Sequence, residues 1–368
     1  MSGTNGGVGT VADPTDPLDP TDPLTSPRPR AATGRGHLLR AELGRLRRRR
    51  LVITFVALGV LALLAALTLV FVTHSQDIAG ARAEAMQRAQ RDLASSQEYR
   101  TQCMADPTIS DSDKESGACG PDGQTIDDFV YVDDPRFVAA TGLPAIAIGV
   151  AIVGALVGAM IGATAVGADW SSRAMVTLIT WEPRRLRLFG TRLLAIGLFM
   201  AVVAVVTQAI ALGLGALTAS LRGTWTSPPF DPNGWGIPEQ HFWRDLLSLQ
   251  GRGVLVVVLA AVLAASIAML TRHTAGLLGV LLGWFVVVEN AVRVLFYDRG
   301  WPRWLVVENI TAFLVPRGQR FQFGETLDRG EYVARYVHVS NLHALLYLGV
   351  ITGVFVVISG ALLRRRDL

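Results

Sequence analysis

The sequence predicts an all-α polytopic membrane protein, and three observations carry that expectation. Hydrophobic residues make up 51% of the 368 residues and charged residues 17%, against roughly 25% charged in soluble domains. Apolar runs recur along the chain, each long enough to cross a hydrocarbon core about 30 Å thick. The arginines gather beside those runs instead of forming one basic face, so they read as topology signals and not as a nucleic-acid surface. Membrane lipid is therefore an expected partner, and nucleic acid is excluded.

Residues 1–36 are rich in Pro, Asp, Thr and Gly, with DPTDPL in tandem at 13–18 and 19–24. They cannot bury enough apolar surface to offset ordering entropy, so they read as a disordered cytosolic tail. The membrane body is 37–368. It opens with HLLRAELGRLRRRR, where Leu39, Leu43 and Leu46 fall at i, i+4 and i+7 among arginines. That pattern predicts an N-terminal amphipathic interfacial helix and a positive-inside stop. A first span follows at 51–72. The long charged region before it argues against a cleaved signal peptide and places the N-terminus inside.

Residues 74–136 read as an extracytoplasmic insertion. Ile78 to Arg100 favours helix and extends the first span outward; an acidic loop follows. Cys103 and Cys119 fall in that loop. Outside the cytoplasm a disulfide would close about 15 residues for roughly 3 kcal/mol. Two free thiols or a metal pair are the alternatives, and no nearby His completes a zinc site.

The second span, 143–166, carries Gly154, Gly158 and Gly162 at four-residue spacing, a stripe that lets helix backbones approach closely in lipid. A basic segment comes next, with Arg173, Arg184, Arg185, Arg187 and Arg192 against Asp169 and Glu182. Within it Met175, Leu178 and Ile179 have amphipathic spacing and Pro183 stops the helix. Further spans are expected at 193–217, 252–271, 274–295 and 341–363. The fifth is interrupted by Glu289, Asn290 and Arg293; Glu289 and Arg293, at i and i+4, form a candidate intramembrane pair. Leu305 to Val315 is too short to span, so re-entrant outer helices are expected before the last span. Residues 317–340 are polar, and RRRDL closes the chain. The total is six spans with both termini cytoplasmic.

Little chemistry is encoded. The only lysine is Lys114, so the GxxxxGK pattern of a phosphate-binding P-loop is absent. No nucleophile elbow occurs, and His338 and His343 are poorly spaced for zinc. No catalytic, cofactor-binding or metal residue is assigned; if ATP drives this protein, a partner chain hydrolyses it.

With these motifs in order (the basic amphipathic helix, GADWSS…LITWEPRRLRLFGTRLLA after the second span, ENAVR and ENITAFLVP around the fifth, a final RRRDL), the chain resembles the membrane subunit of ABC-2-type (type V) ABC exporters of actinobacteria. The resemblance covers about residues 38–368. It implies a permease in a bacterial plasma membrane that works as a dimer with a second permease chain and docks ABC ATPase subunits below. It implies a cytosolic coupling helix over 169–182, opened by Asp169, Trp170, Ser171 and Ser172, containing Thr177 and Leu178, and followed by Pro183 and Arg185. The family often has Gly where this chain has Arg173, and its first outer loop is often short. The cargo implied is a small-molecule or lipid-like substrate. A membrane receptor or scaffold using 74–136 as a binding module is the rival expectation.

Overall fold

The computed structural model describes residues 35–132, 134–172, 184–225, 237, 239–272, 276–277, 279–280, 283–296, 299–328 and 331–365. The segment 173–183, which holds Thr177, Leu178 and Pro183, lies outside the described residues. Among the described residues five helices are long and apolar enough to cross a membrane, which makes the chain a multi-pass membrane protein. They are α2 (Arg50–Thr73), α5 (Ala139–Ser171), α6 (Arg185–Arg222), α7 (Phe242–Thr271) and α10 (Asn341–Arg365). Shorter helices are α1 (Arg35–Arg48), α3 (Ile78–Ala105), α4 (Asp111–Glu115), α8 (Glu289–Leu295) and α9 (Val306–Leu314). In the region of the expected fifth span, a π-helical turn at Gly283–Val288 runs into α8.

The core is layered by depth. At one end Val52, Val166, Leu188, Met269, Leu277 and Leu363 belong to one buried cluster. Nearly every charged side chain described at that end is an arginine, and we call it the basic end. At the other end two clusters form, one around Ala147, Leu249, Val315 and Ala344 and one around Phe137, Leu143, Ala219 and Leu246. α5 and α7 form the tightest contact. The glycine stripe explains it: a Cβ on Gly158 would lie 3.1 Å from the Val257 carbonyl oxygen, and one on Gly162 only 2.1 Å from that of Ala261. Gly154 faces the Val257 side chain. The stripe thus packs within the chain.

α1 lays its leucine face on the basic-end core, with Leu46 buried and Leu39 and Leu43 packed beside it. One expectation is corrected at the far end. The 78–100 helix does not continue α2: the chain breaks at His74–Asp77, and Asp77 caps α3 by accepting the Gly80 amide at 2.8 Å. The polar residues 317–340 carry strands, for which no expectation was formed. β3 (Gln319–Asp328) and β4 (Glu331–Val339) form an antiparallel hairpin with a bulge between Gln322 and Glu325. The alternation in RFQF and YVARYVHV is the strand signal that the arginine count obscured. A second, two-residue pairing joins β1 (Phe137–Val138) in parallel to β2 (Gly223–Thr224), where only glycine fits at 223 because a Cβ would meet the Phe137 carbonyl oxygen.

The insertion at 74–136 contains a folded unit. Cys103 and Cys119 form a disulfide with Cα atoms 5.6 Å apart. Arg100 reaches across the closed loop to pair with Asp122 and to donate to the Gly120 carbonyl at 2.7 Å. The unit rejoins the spans through Ser75 N–H to the Pro135 carbonyl, 2.9 Å, and through His74 packed edge-on against Phe137.

The α5–α7 contact is the place to test the packing. Gly162→Leu is expected to lower stability by about 1–3 kcal/mol by forcing the helices apart, read as a lower melting midpoint in detergent. Gly190→Ala, whose Cβ would meet nothing within 4 Å, is expected to hold or raise that midpoint, since alanine is the better helix former.

Candidate functional site

The functional candidates of the sequence separate into two sites, one at each end of the bundle. At the basic end the centre is Asp169, 4% exposed. It sits in the last turns of α5 together with Trp170 and Ser171, and Ser172 closes that helix by donating its N–H to the Ala168 carbonyl. This corrects the expectation that Asp169 to Ser172 open a separate helix. The apolar run of the second span simply keeps its helical hydrogen bonding past Val166.

A buried carboxylate in an apolar bundle is costly unless paired and fully hydrogen-bonded. Asp169 is bonded by Arg49, the residue between α1 and α2, and by Arg192, which is buried in α6. Arg45 of α1 lies 3.7 Å away and also meets Glu42 at 3.4 Å. The two close arginines do more than neutralise Asp169. Arg49 donates to the Ala165 carbonyl at 3.1 Å and Arg192 donates to the same carbonyl, so cations sit on the negative end of α5. One carboxylate thereby joins α1, α2, α5 and α6.

Trp170 ties in the remaining helix. Its indole N–H points at the sulfur of Met269 in α7, 3.1 Å away, and the Arg272 guanidinium lies 4.7 Å from its ring centre. Arg272 ends α7 in the left-handed conformation, φ 58°. α5 therefore ends at a point fastened to α2, α6 and α7, and the described chain resumes at Arg184, just before α6.

At the other end the expected Glu289–Arg293 pair is not formed. Arg293 pairs with Glu308 of α9 at 2.8 Å. Glu289, 2% exposed, accepts from the backbone amides of Val306 at 2.9 Å and Val307 at 3.3 Å, and from the Trp284 indole at 3.3 Å. Those amides are the first of α9 and have no partner inside that helix, so Glu289 acts as a cap supplied from another element. The carboxylate prefers two converging N–H donors and a helix dipole to a guanidinium on its own face. Asn341, first residue of α10, closes the opposite end of α9 by donating to the carbonyls of Ala312 and Val315 at 2.8 and 2.9 Å. The short helix is hung between two side-chain caps from its flanking elements.

Between these ends, α2 stands off from α5 and α6 and leaves an apolar crevice of about 240 Å³ whose walls include Gly59, Leu63, Val153, Met200 and Val203. Small residues on α2 create the space.

Sequence reasoning found Asp169 and Glu289 but missed their partners. Arg49 is one of four successive arginines, and nothing in the run marks which one turns inward. Arg192 carried a signal: it lies between Phe189 and Leu193 at the edge of an apolar run, and a cation in such a position is expected to have a buried partner. Asn341 gave no signal. Comparison with protein-family models and with curated proteins finds no match.

Removing one side of the buried cluster leaves charge uncompensated. Asp169→Asn is expected to cost about 3–5 kcal/mol, seen as a lower melting midpoint. Adding Arg192→Gln should recover part of that loss; strictly additive losses would count against direct coupling. At the other end, Glu289→Gln keeps one acceptor oxygen for the α9 amides and should cost about 1 kcal/mol less than Glu289→Ala, measured the same way.

Proposed function

We propose that the chain is the permease subunit of an ATP-driven exporter. It lies in a bacterial plasma membrane with both termini cytoplasmic, forms the translocation path with a second permease chain, and is driven by separate ABC ATPase subunits. Its cargo is hydrophobic or amphipathic.

The observation that carries this reading is the mounting of segment 173–183. The Asp169 cluster and the Trp170 contacts fix its starting point to α2, α6 and α7, and Arg184 begins α6 directly after it. A partner that presses on this segment acts on three membrane helices at once, as a coupling element must. The amphipathic spacing of Met175, Leu178 and Ile179 supplies the apolar face such a partner would seat.

Chain direction supports six crossings. α7 finishes at the basic end, and Leu277 still packs in the core there. α10 begins at the opposite end, where Ala344 packs against the Val315 cluster. In this reading the 274–295 stretch is the return crossing between them. The arginine-rich end is then cytoplasmic by the positive-inside rule. The apolar crevice beside α2 suits a hydrophobic cargo better than an ionic one. The disulfide-closed outer insertion favours a second reading, a receptor or scaffold that binds through 74–136, which requires no motor.

Co-purification from native membranes separates the two. An ATPase chain is expected to accompany the wild type in detergent and to be lost when Leu178 and Ile179 are both changed to Asp. If no ATPase accompanies either form, the exporter reading fails and the outer insertion becomes the functional surface.

A further inference from the structure

At the basic end the start of α6 meets the end of α10. Arg184, Arg185 and Arg187 from one and Arg364 from the other line a single open cleft of about 390 Å³, with Leu186 as the remaining wall. The two chain segments approach closely: a Cβ on Gly360 would lie 3.5 Å from Leu186 and 3.8 Å from Phe189.

Two independent effects make this cleft attractive to an anion. Four arginines line one volume, and a guanidinium that keeps its bonds within the protein still carries a full positive charge. The arginines from α6 stand at the N-terminal, positive end of a 38-residue helix dipole. Each guanidinium presents five N–H donors in a planar fork, so bonds made within the protein leave others for a ligand. That fork matches the paired oxygens of a phosphate better than it matches a spherical anion.

The surroundings specify what carries the phosphate. The cleft lies at the termini of two helices long and apolar enough to cross a membrane, the part of such a helix that meets lipid headgroups. Leu186 is 50% exposed beside the arginines, and the exposed Leu194 and Leu198 follow it along α6 toward the membrane interior. A phosphate ester bearing a hydrocarbon chain satisfies both features.

We propose that this cleft is a phosphate-ester site occupied by an anionic membrane phospholipid, held by Arg184, Arg185, Arg187 and Arg364. The site stands whether or not the chain is a transporter. A soluble phosphate shares the chemistry and would use the same arginines.

The test titrates purified full-length protein in detergent with phosphatidylglycerol, phosphatidylcholine or inorganic phosphate and follows the melting midpoint. Phosphatidylglycerol is expected to raise the midpoint of the wild type and phosphatidylcholine to leave it unchanged. In an Arg184→Gln/Arg364→Gln variant the half-saturating phosphatidylglycerol concentration should rise roughly tenfold. Arg47→Gln/Arg48→Gln, which removes the same charge from exposed positions outside the cleft, should titrate like the wild type. Protection by inorganic phosphate alone, abolished by the cleft variant, upholds the site and assigns it to a soluble ligand. An equal response of the wild type to both lipids overturns the proposal without reference to any variant. Equal weakening in both double variants also overturns it, because binding then follows net charge and not the cleft.

Discussion

The Asp169 carboxylate is the constraint on which the basic end depends. A charge that is 4% exposed among apolar helices has to be matched locally, because the low dielectric that strengthens its pairs also makes an unmatched charge prohibitive. Its partners come from the α1–α2 junction and from α6, positions far apart in sequence. The helices could slide along one another if apolar contact alone held them, since lipid solvates leucine as well as a neighbouring helix does. A carboxylate gripped by two guanidinium groups fixes their depth. The same two groups donate to the Ala165 carbonyl, so the grip holds the backbone of α5 as well as its side chain.

The middle of the bundle is organised differently. Where α5 crosses α7, Gly158 and Gly162 bring the backbones into contact and van der Waals packing does the holding. Where α2 passes α5 and α6, small residues open a gap: only 6% of the most apolar stretch of α2 is buried. α2 is held by its ends, through Arg49 at one and through Arg222 to the His74 carbonyl and Gln76 to the Leu221 carbonyl, both 3.0 Å, at the other. Glycine thus permits close approach at both interfaces, and the difference lies in what faces it. Gly162 meets a backbone, while Gly59 meets the tip of Val157.

Much of the architecture was legible in the sequence, for physical reasons. A span must carry a long apolar run, so α2, α5, α6, α7 and α10 announce themselves, although α5 extends beyond the expected 143–166 because amphipathic turns at its ends still complete helical hydrogen bonds. The glycine stripe was legible because close approach permits few alternatives. The partner choices were not. Glu289 could have paired with Arg293 four residues on, and helix spacing favours that; the exposed amides of α9, brought near by tertiary folding, compete better. Asp169 was visible, yet its assignment to a coupling helix came from a family resemblance and not from its charge. The β3–β4 hairpin was hidden because its alternating residues include arginines and a histidine, which read as loop when only hydropathy is weighed.

The two ends of the bundle are held by different chemistry, and that difference bears on which end can move. The Asp169 cluster is largely buried, so salt screens it weakly and it resists partial opening. At the far end, α9 makes its decisive contacts through hydrogen bonds from Glu289 and Asn341 to its terminal peptide groups, reinforced by Tyr347, whose hydroxyl donates to the Trp304 carbonyl. Each of those contacts is one to a few hydrogen bonds, individually worth about 1 kcal/mol and breakable one at a time. A nine-residue helix is too short to persist without caps, so releasing either cap frees the whole element and not merely one bond. Force entering at the fixed basic end would therefore be expressed at the far end, where the connections are weaker and α9 hangs between two helices that need not move together.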